Sequence, residues 1–238
     1  MSSPDTATGE LLAEVDAAAG AQSQDDDTRA LYDQLAPSYE HFRAIWLRLA
    51  GDPAEEAMLE DLRATLRPGA SMLDVGAGTG ALSRKALEIE PTVDSTMLDA
   101  SPEMLGHAGD IPGRRIVGDA CSLPFSDGCF DLVVSAWVIE TVDDPMRAVS
   151  EMLRVLAPDG NVFYTFTSLP RGFVSRAGTG LLRRILERQF AGHALPEERI
   201  PYHDCGRSHR RIFMGGLTQE IALQECCEVP PSLASRPA

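Results

Sequence analysis

The segment MLDVGAGTG, residues 72–80, constrains the fold more than any other part of the chain. An apolar run, Met72–Val75, leads directly into three alternating glycines, and a helical pattern follows from about Thr79 to Glu90. Glycines at this spacing permit a tight turn and let backbone N–H groups approach a ligand, while the helix N-terminus adds partial positive charge. A strand, a glycine turn and a helix in this order are typical of a nucleotide-binding βαβ unit.

Apolar segments continue to alternate with helical patterns after this point, which predicts a parallel sheet with helices on both faces. Right-handed crossovers then give a doubly wound, Rossmann-like α/β fold with a mostly parallel sheet of seven strands. Residues 210–227 predict two strands joined at Gly215-Gly216, an antiparallel edge on this sheet. The other predicted elements are strands Thr96–Leu98, Arg115–Val117, Phe130–Ser135 and Val162–Thr167, and helices Pro102–His107 and Pro145–Leu156.

The length of 238 residues predicts a single domain with appendages. Residues 1–27 are rich in Ala, Asp, Gln and Ser, and we expect an acidic, disordered tail. The domain is expected to span residues 28–238. Within it, residues 28–67 are predicted to form N-terminal cap helices and residues 171–211 a helical cap insertion.

Composition excludes several functional classes. The net charge of −15 argues against a nucleic-acid binder, because neutralising phosphates needs a basic face. No apolar run approaches the roughly 20 residues that span a bilayer, so we expect a cytoplasmic protein without membrane insertion. The five cysteines form no CxxC pair, and we expect no metal site. The remaining partners are a small-molecule substrate and, at most, a second copy in a homodimer.

Three carboxylates follow or end successive predicted strands, and parallel strands bring such ends to one crevice. Asp74, two residues before Gly76, is expected to repel a pyrophosphate and to suit an ammonium group. Asp99 is placed to accept from two ribose hydroxyls, and Asp119 from an adenine amino group. The glycine spacing also fits a dinucleotide site, so a nicotinamide oxidoreductase stays open. Against it, Lys85 is the only lysine, which excludes a Tyr-x-x-x-Lys catalytic pair.

Five segments along the chain carry a family resemblance: YDQLAPSYE (32–40), LDVGAGTG (73–80), LDASPEML (98–105), GDACSLPFSDGCFDLVVSAWVIE (118–140) and EMLRVLAPDGNVFYTF (151–166). Together they resemble the class I S-adenosylmethionine-dependent methyltransferases, of the domain 11 type that includes ubiquinone and menaquinone methyltransferases. The resemblance covers about residues 29–168 and implies an enzyme that uses S-adenosylmethionine.

The resemblance also implies which residues bind the cofactor. They are Asp74, Gly76, Ala77, Gly78 and Gly80 for the methionine portion; Asp99 for the ribose; Ala100, Met104, Asp119 and Ala120 for the adenine; Ser135, Ala136 and Trp137 near the methyl donor; and Tyr32 and Tyr39 closing over the cofactor. The family often has a histidine shortly after the fourth strand, where this chain has Glu140. We expect Glu140 to start a helix rather than to act as a base.

The acceptor is expected at a positive island in the otherwise acidic chain. Residues 171–211 carry a net charge of +5, and catalytic candidates near the acceptor are His41, His203, Arg207 and His209. Arginine and histidine favour a small acidic nucleophile, with a thiol or hydrosulfide first and a phenol or carboxylate next. Three alternatives stay open: a solvated island of salt bridges, a larger neutral or quinone-like acceptor held by apolar residues such as Trp46, and cofactor binding without turnover.

Overall fold

The computed structural model describes residues 27–170, 193–202 and 208–224. Nearly all of the predicted tail and most of the predicted basic insertion lie outside these ranges. The catalytic candidates His203 and Arg207 lie outside them as well. Within the described residues, none of the helices has the length and apolar character needed to cross a membrane.

One sheet of seven strands organises the molecule, with the order β3-β2-β1-β4-β5-β7-β6. Strands β1 to β5 pair in parallel, and β7 runs antiparallel to both of its neighbours. The strands are β1 (Ser71–Val75), β2 (Asp94–Asp99), β3 (Arg114–Val117), β4 (Phe130–Ala136), β5 (Leu156–Thr167), β6 (His209–Phe213) and β7 (Thr218–Gln224).

This topology confirms the predicted α/β class and the mostly parallel sheet. The reversed strand β7 lies second from the edge, with β6 outside it. The reason is local: the short turn Met214–Gly216 joins β6 to β7, and a connection this short forces the two strands to be antiparallel neighbours.

Within residues 27–170, 193–202 and 208–224, six α-helices cover the sheet and its carboxyl edge. They are α1 (27–35), α2 (Tyr39–Trp46), α3 (Asp52–Thr65), α4 (Ala81–Ile89), α5 (Pro102–His107) and α6 (Pro145–Val155). Side chains cap two of them: the Ser101 hydroxyl accepts from Met104 N at the start of α5, and Asp144 accepts from Arg147 N at the start of α6. A π-helical turn, Leu47–Gly51, joins α2 to α3.

The two faces of the sheet carry separate apolar clusters, as a doubly wound fold requires. On one face, Met58 and Leu62 of α3 pack against Met72 and Phe163. On the other face, Met152 of α6 packs in the cluster that includes Leu73, Val133 and Tyr164. Neighbouring strand residues therefore point to opposite faces. The chain reverses its winding between β1 and β4, and the crevice above that point is where such folds bind ligands.

Candidate active site

A cavity of about 300 Å³ opens at the carboxyl ends of β1, β2, β3 and β4. Its wall combines the glycine turn after β1, the residues that end β2 and β3, and the segment that follows β4. Helix α1 and the start of α2 close the cavity from above through Thr28, Arg29, Tyr32 and Tyr39. The cavity therefore lies at the topological switch point of the sheet.

Asp99, the last residue of β2, joins the glycine turn to the neighbouring strand end. Its Oδ2 accepts a hydrogen bond from Gly78 N at 2.7 Å, and its Oδ1 accepts one from Ser101 N at 2.8 Å. Burial raises the pKa of Asp99 above its ordinary value, and these two backbone hydrogen bonds oppose the rise. A carboxylate offers about four acceptor positions, so Asp99 retains capacity for two further donors from a ligand in the cavity.

The glycine turn packs closely on the segment after β4. Gly76 and Gly78 have φ values of +68° and +55°, in the left-handed region that glycine tolerates best. A Cβ added to Gly76 would lie 2.2 Å from Cγ2 of Val138. Only a residue without a side chain fits here, and this close approach brings the turn and the end of β4 to opposite sides of one cavity.

Hydrogen bonds fasten the cap helices to the cavity rim. Glu40 of α2 accepts from the Thr79 hydroxyl, and Asp33 of α1 accepts from the Ser101 hydroxyl. The rings of Tyr32 and Tyr39 meet edge to face with centroids 6.3 Å apart. Burial raises the pKa of Tyr32 well above its ordinary value, so this phenol stays neutral at physiological pH.

A buried ion-pair network holds Trp137 at the floor of the cavity. The Trp137 backbone has φ +63°, its N–H donates to Thr165 O at 3.0 Å, and its Nε1 donates to Glu55 Oε2 at 3.2 Å. Glu55 in turn accepts from Arg43 at 2.6 Å and Lys85 at 3.1 Å. Burial alone would raise the pKa of Glu55, but the two cations and the hydrogen bond from Trp137 together outweigh it and lower the pKa. A bulky residue with a left-handed backbone conformation is uncommon and persists only where the surrounding contacts hold it in place.

The family described as methyltransferase domain matches residues 73–164, which run from β1 through most of β5 and contain the glycine turn, Asp99, Asp119 and Trp137. Residues 73–164 are therefore similar to a methyltransferase domain.

Relatives of this methyltransferase domain differ in the acceptors that their names state. A demethylmenaquinone methyltransferase from Renibacterium salmoninarum is 32% identical over 61% of this chain and 60% of that protein. A malonyl-[acyl-carrier protein] O-methyltransferase from Geobacter sulfurreducens is 36% identical over 56% of this chain and 49% of that protein. The chain thus spans about half to three fifths of the length of these curated relatives.

A solved structure extends the comparison to a bound cofactor. The phosphoethanolamine N-methyltransferase 2 of Haemonchus contortus, in complex with S-adenosyl-L-methionine, is similar with a TM-score of 0.52 and 26% identity. The similarity covers 66% of this chain and 38% of that one. That neighbour therefore binds S-adenosyl-L-methionine.

The residues of the cavity fit this cofactor. Asp99 lines the cavity and can accept further hydrogen bonds, which suits the two hydroxyl groups of a ribose. Asp119 also lines the cavity. Val117 also lines the cavity and is 55% exposed, although valine is ordinarily buried. A flat purine stacked between the side chains of Val117 and Met104 would cover this apolar surface.

Eleven of the fifteen residues predicted to bind the cofactor line this cavity. They are Tyr32, Tyr39, Gly76, Gly78, Asp99, Ala100, Met104, Asp119, Ala120, Ala136 and Trp137. Their contacts with the cofactor stay predictions.

Asp74 lies on the sheet face toward α4 rather than at the cavity. Its Oδ2 accepts from the backbone N–H of Ser83 at 3.1 Å and from the Ser83 hydroxyl at 2.7 Å. Burial raises the pKa of Asp74 to about 7, against these two hydrogen bonds. We expected Asp74 to repel a pyrophosphate at the cavity, and this expectation is wrong. The carboxyl group instead binds Ser83 and so holds α4 beneath the glycine turn.

Ala77, Gly80 and Ser135 also lie outside the cavity wall, for packing reasons. Gly80 is the left-handed residue before α4, and a Cβ there would lie 2.3 Å from Ile111 Cδ1. Ala77 packs against the cluster that contains Ile111. The fully buried Ser135 donates its hydroxyl to Val75 O at 2.9 Å and so links β4 to β1.

Nine residues of the wall were missed by sequence reasoning. Val117 and Gly118 directly precede Asp119, and Val138 follows Trp137, so proximity to a predicted residue was the available signal. The full set is Thr28, Arg29, Leu98, Ser101, Val117, Gly118, Val138, Thr141 and Val142. Thr28 and Arg29 come from α1 and carried no such signal.

The described catalytic candidates do not gather at the cavity. His41 is exposed on α2 and does not line it. His209 lies on β6 with its Nε2 3.0 Å from Oδ2 of Asp61 in α3. The arginines next to His209 pair locally, Arg210 with Glu197 and Arg211 with Asp61. In the described part of the positive island, the salt-bridge alternative therefore accounts for these charges.

Glu140 does not start a helix as expected, since α6 begins at Pro145 with Asp144 as its cap. Instead Glu140 is buried behind the cavity wall. Its Oε1 accepts from Thr167 N at 2.9 Å, its backbone oxygen accepts from His193 N, and its buried Oε2 has no hydrogen-bond partner among the described residues. Burial raises the pKa of Glu140 to about 7.

We expect Glu140→Gln to remove part of the pH dependence of stability. A carboxyl group whose folded pKa is raised from 4.5 to about 7 stabilises the fold below pH 4.5, and this contribution is lost as pH rises through 7. At about 1.4 kcal/mol per pKa unit, the loss is on the order of 3 kcal/mol. The free energy of unfolding of the variant relative to wild type should therefore increase by a few kcal/mol from pH 5 to pH 8, as measured by urea titration.

The comparison with wild type is necessary because burial also raises the pKa of Asp74 and Glu220. Glu88→Gln, on the exposed face of α4, is the matched control and should leave the difference flat. An equally flat difference for Glu140→Gln would show that Glu140 stays ionised across this range.

Proposed function

We propose that this protein transfers a methyl group from S-adenosylmethionine to a small-molecule acceptor. The observation that carries the proposal is the cavity at the switch point, where Asp99 is fixed by two backbone N–H groups at the end of β2. The match of the methyltransferase domain family to residues 73–164 supports the same activity.

When bound, the cofactor supplies an activated methyl group and a neutral thioether leaving group, so the protein has mainly to position the reactants. In the proposal, Asp99 binds the ribose hydroxyls and Asp119 lies at the adenine side. Tyr32 and Tyr39 exclude water from above, and Trp137 forms the floor beside the reacting centre. None of these residues needs to gain or lose a proton.

The acceptor is proposed to enter beside the segment that follows β4. The described wall there is mainly apolar and aromatic, formed by Trp137, Val138 and Val142 with the hydroxyl of Thr141. This lining supports the larger neutral or quinone-like acceptor over a small thiol. The name of the Renibacterium relative, demethylmenaquinone methyltransferase, agrees with such an acceptor. Of the residues that favoured a thiol, His209 is held by Asp61 away from this wall.

We expect S-adenosylhomocysteine to bind with micromolar affinity and NAD not to bind. A volume of about 300 Å³ is at the small end of ligand pockets and suits one nucleoside better than two. Isothermal titration calorimetry on the purified chain measures both. Micromolar binding of NAD without a response to S-adenosylhomocysteine would contradict the proposed function.

Labelled S-adenosylmethionine then separates an enzyme from a cofactor-binding protein. A panel of quinols, phenols, carboxylates, thiols and amines is incubated with the protein, and transfer of label into product is counted. We expect transfer to a quinol-like ring. Transfer to thiols alone would support the small acidic nucleophile as acceptor. Cofactor binding without transfer to any class would leave the alternative of cofactor binding without turnover.

A further inference from the structure

Among the residues that the structure describes, one group of three side chains has the composition and spacing of a metal site. Asp61 of α3, His209 of β6 and Glu220 of β7 each direct one ligand atom to a common point, with all three atoms within 4.8 Å of one another. The group lies on the α3 face of the sheet, near its outer edge, and none of its members lines the cavity.

We propose that Asp61, His209 and Glu220 bind one divalent metal ion, with Zn²⁺ the best match to the donor set. One imidazole nitrogen and two carboxylate oxygens are ligands that zinc prefers, with bonds of about 2.0–2.2 Å. In a tetrahedron, such bonds place neighbouring ligand atoms about 3.3–3.6 Å apart. His209 Nε2 is 3.0 Å from Asp61 Oδ2 and 3.7 Å from Glu220 Oε2, which brackets that spacing.

Glu220 provides the independent observation that a cation belongs here. Its side chain is fully buried, and neither of its carboxylate oxygens has a hydrogen-bond partner among the residues that the structure describes. Nη1 of Arg211 and Nε2 of His209 each lie 3.7 Å from its Oε2, too far for a hydrogen bond. A buried carboxylate without donors is costly, and direct coordination to a metal ion removes that cost.

Arg211 holds the ligand Asp61 in place without occupying the proposed site. Its Nη2 donates to Asp61 Oδ1 at 2.9 Å, and its Nη1 donates to Ala57 O at 2.9 Å. Oδ2 of Asp61 is thereby left for the ion. Outer contacts of this kind orient metal ligands and tune their affinity. His209, 45% exposed, provides the path by which an ion enters.

The proposed ion would join α3 to the two outer strands of the sheet. Among the described strands β6 lies at the edge of the sheet, and edge strands are the least constrained part of a sheet. A metal that binds the folded arrangement of ligands and not the unfolded chain stabilises the fold by mass action. The inference is independent of methyl transfer, because no ligand of the ion contacts the cavity.

The test is zinc titration of the full chain, purified without a histidine tag and stripped with a chelator. We expect one Zn²⁺ per chain with micromolar or tighter affinity, and a rise in Tm on binding. His209→Ala and the isosteric Glu220→Gln should each weaken zinc binding at least tenfold and abolish the rise in Tm. His107→Ala, an exposed histidine at the end of α5, is the matched control and should bind zinc as wild type does.

Calorimetry with S-adenosylhomocysteine, run on the same variants, verifies that each is folded and keeps the two proposals separate. Zinc binding that survives in both His209→Ala and Glu220→Gln would place the ion elsewhere and overturn the inference. The absence of micromolar zinc binding by wild type would also overturn it.

Discussion

Asp99→Ala should weaken S-adenosylhomocysteine binding by about tenfold to a hundredfold, while the protein stays folded. A carboxylate that accepts from two ribose hydroxyls makes charge-assisted hydrogen bonds worth on the order of 1.5–3 kcal/mol each. A loss of about 1.4 kcal/mol corresponds to a factor of ten in the dissociation constant. The substitution also removes the acceptor for Gly78 N and Ser101 N, so the glycine turn loses its connection to β2. Calorimetry gives the affinity, and thermal unfolding verifies the fold.

Two further variants sharpen this experiment. Asp99→Asn should bind almost as poorly as Asp99→Ala, because each carboxylate oxygen already faces a backbone N–H and the new amide would direct its NH₂ group at one of them. Asp94→Ala changes an exposed aspartate at the other end of the same strand and should bind as wild type does. An unchanged dissociation constant in Asp99→Ala would show that this carboxylate serves only to hold the turn.

Gly76→Ala should destabilise the fold by about 2–5 kcal/mol and abolish measurable cofactor binding. The left-handed backbone costs a non-glycine residue about 1–2 kcal/mol. The new Cβ would lie 2.2 Å from Val138 Cγ2, and overpacking of this kind typically adds about 1–3 kcal/mol. Relief of the contact moves the glycine turn away from the segment after β4, which opens the cavity. Urea unfolding and calorimetry measure the two effects.

Gly69→Ala separates backbone strain from the close contact. Gly69 has φ +73°, nearly the same as Gly76, but a Cβ there would have nothing within 4 Å. We therefore expect a loss of about 1–2 kcal/mol and unchanged affinity for S-adenosylhomocysteine. Equal destabilisation by the two substitutions would mean that Val138 moves aside at no cost and that the close approach is unimportant.

The tertiary structure revised the roles of two carboxyl groups, Asp74 in strand β1 and Glu140 in the segment after β4. Asp74 precedes the glycine turn as an ammonium-binding residue would, yet it points to the α4 face and accepts from Ser83. Glu140 is a buried carboxyl group behind the cavity rather than a helix start. In both cases the partner is brought near by packing, and its distance along the sequence carries no information about that.

The sequence by itself determined the fold class and most of the cavity. Apolar periodicity marks the strands, and parallel strands bring their carboxyl ends together, so the residues that end them, such as Asp99 and Asp119, meet without further information. What only the tertiary structure decided is the environment of each polar group. Asp61, His209 and Glu220 lie on three elements, with nearly 150 residues between the first two, and form one cluster because α3 packs across β6 and β7. Local sequence patterns record secondary structure, whereas packing between distant elements depends on the whole chain at once.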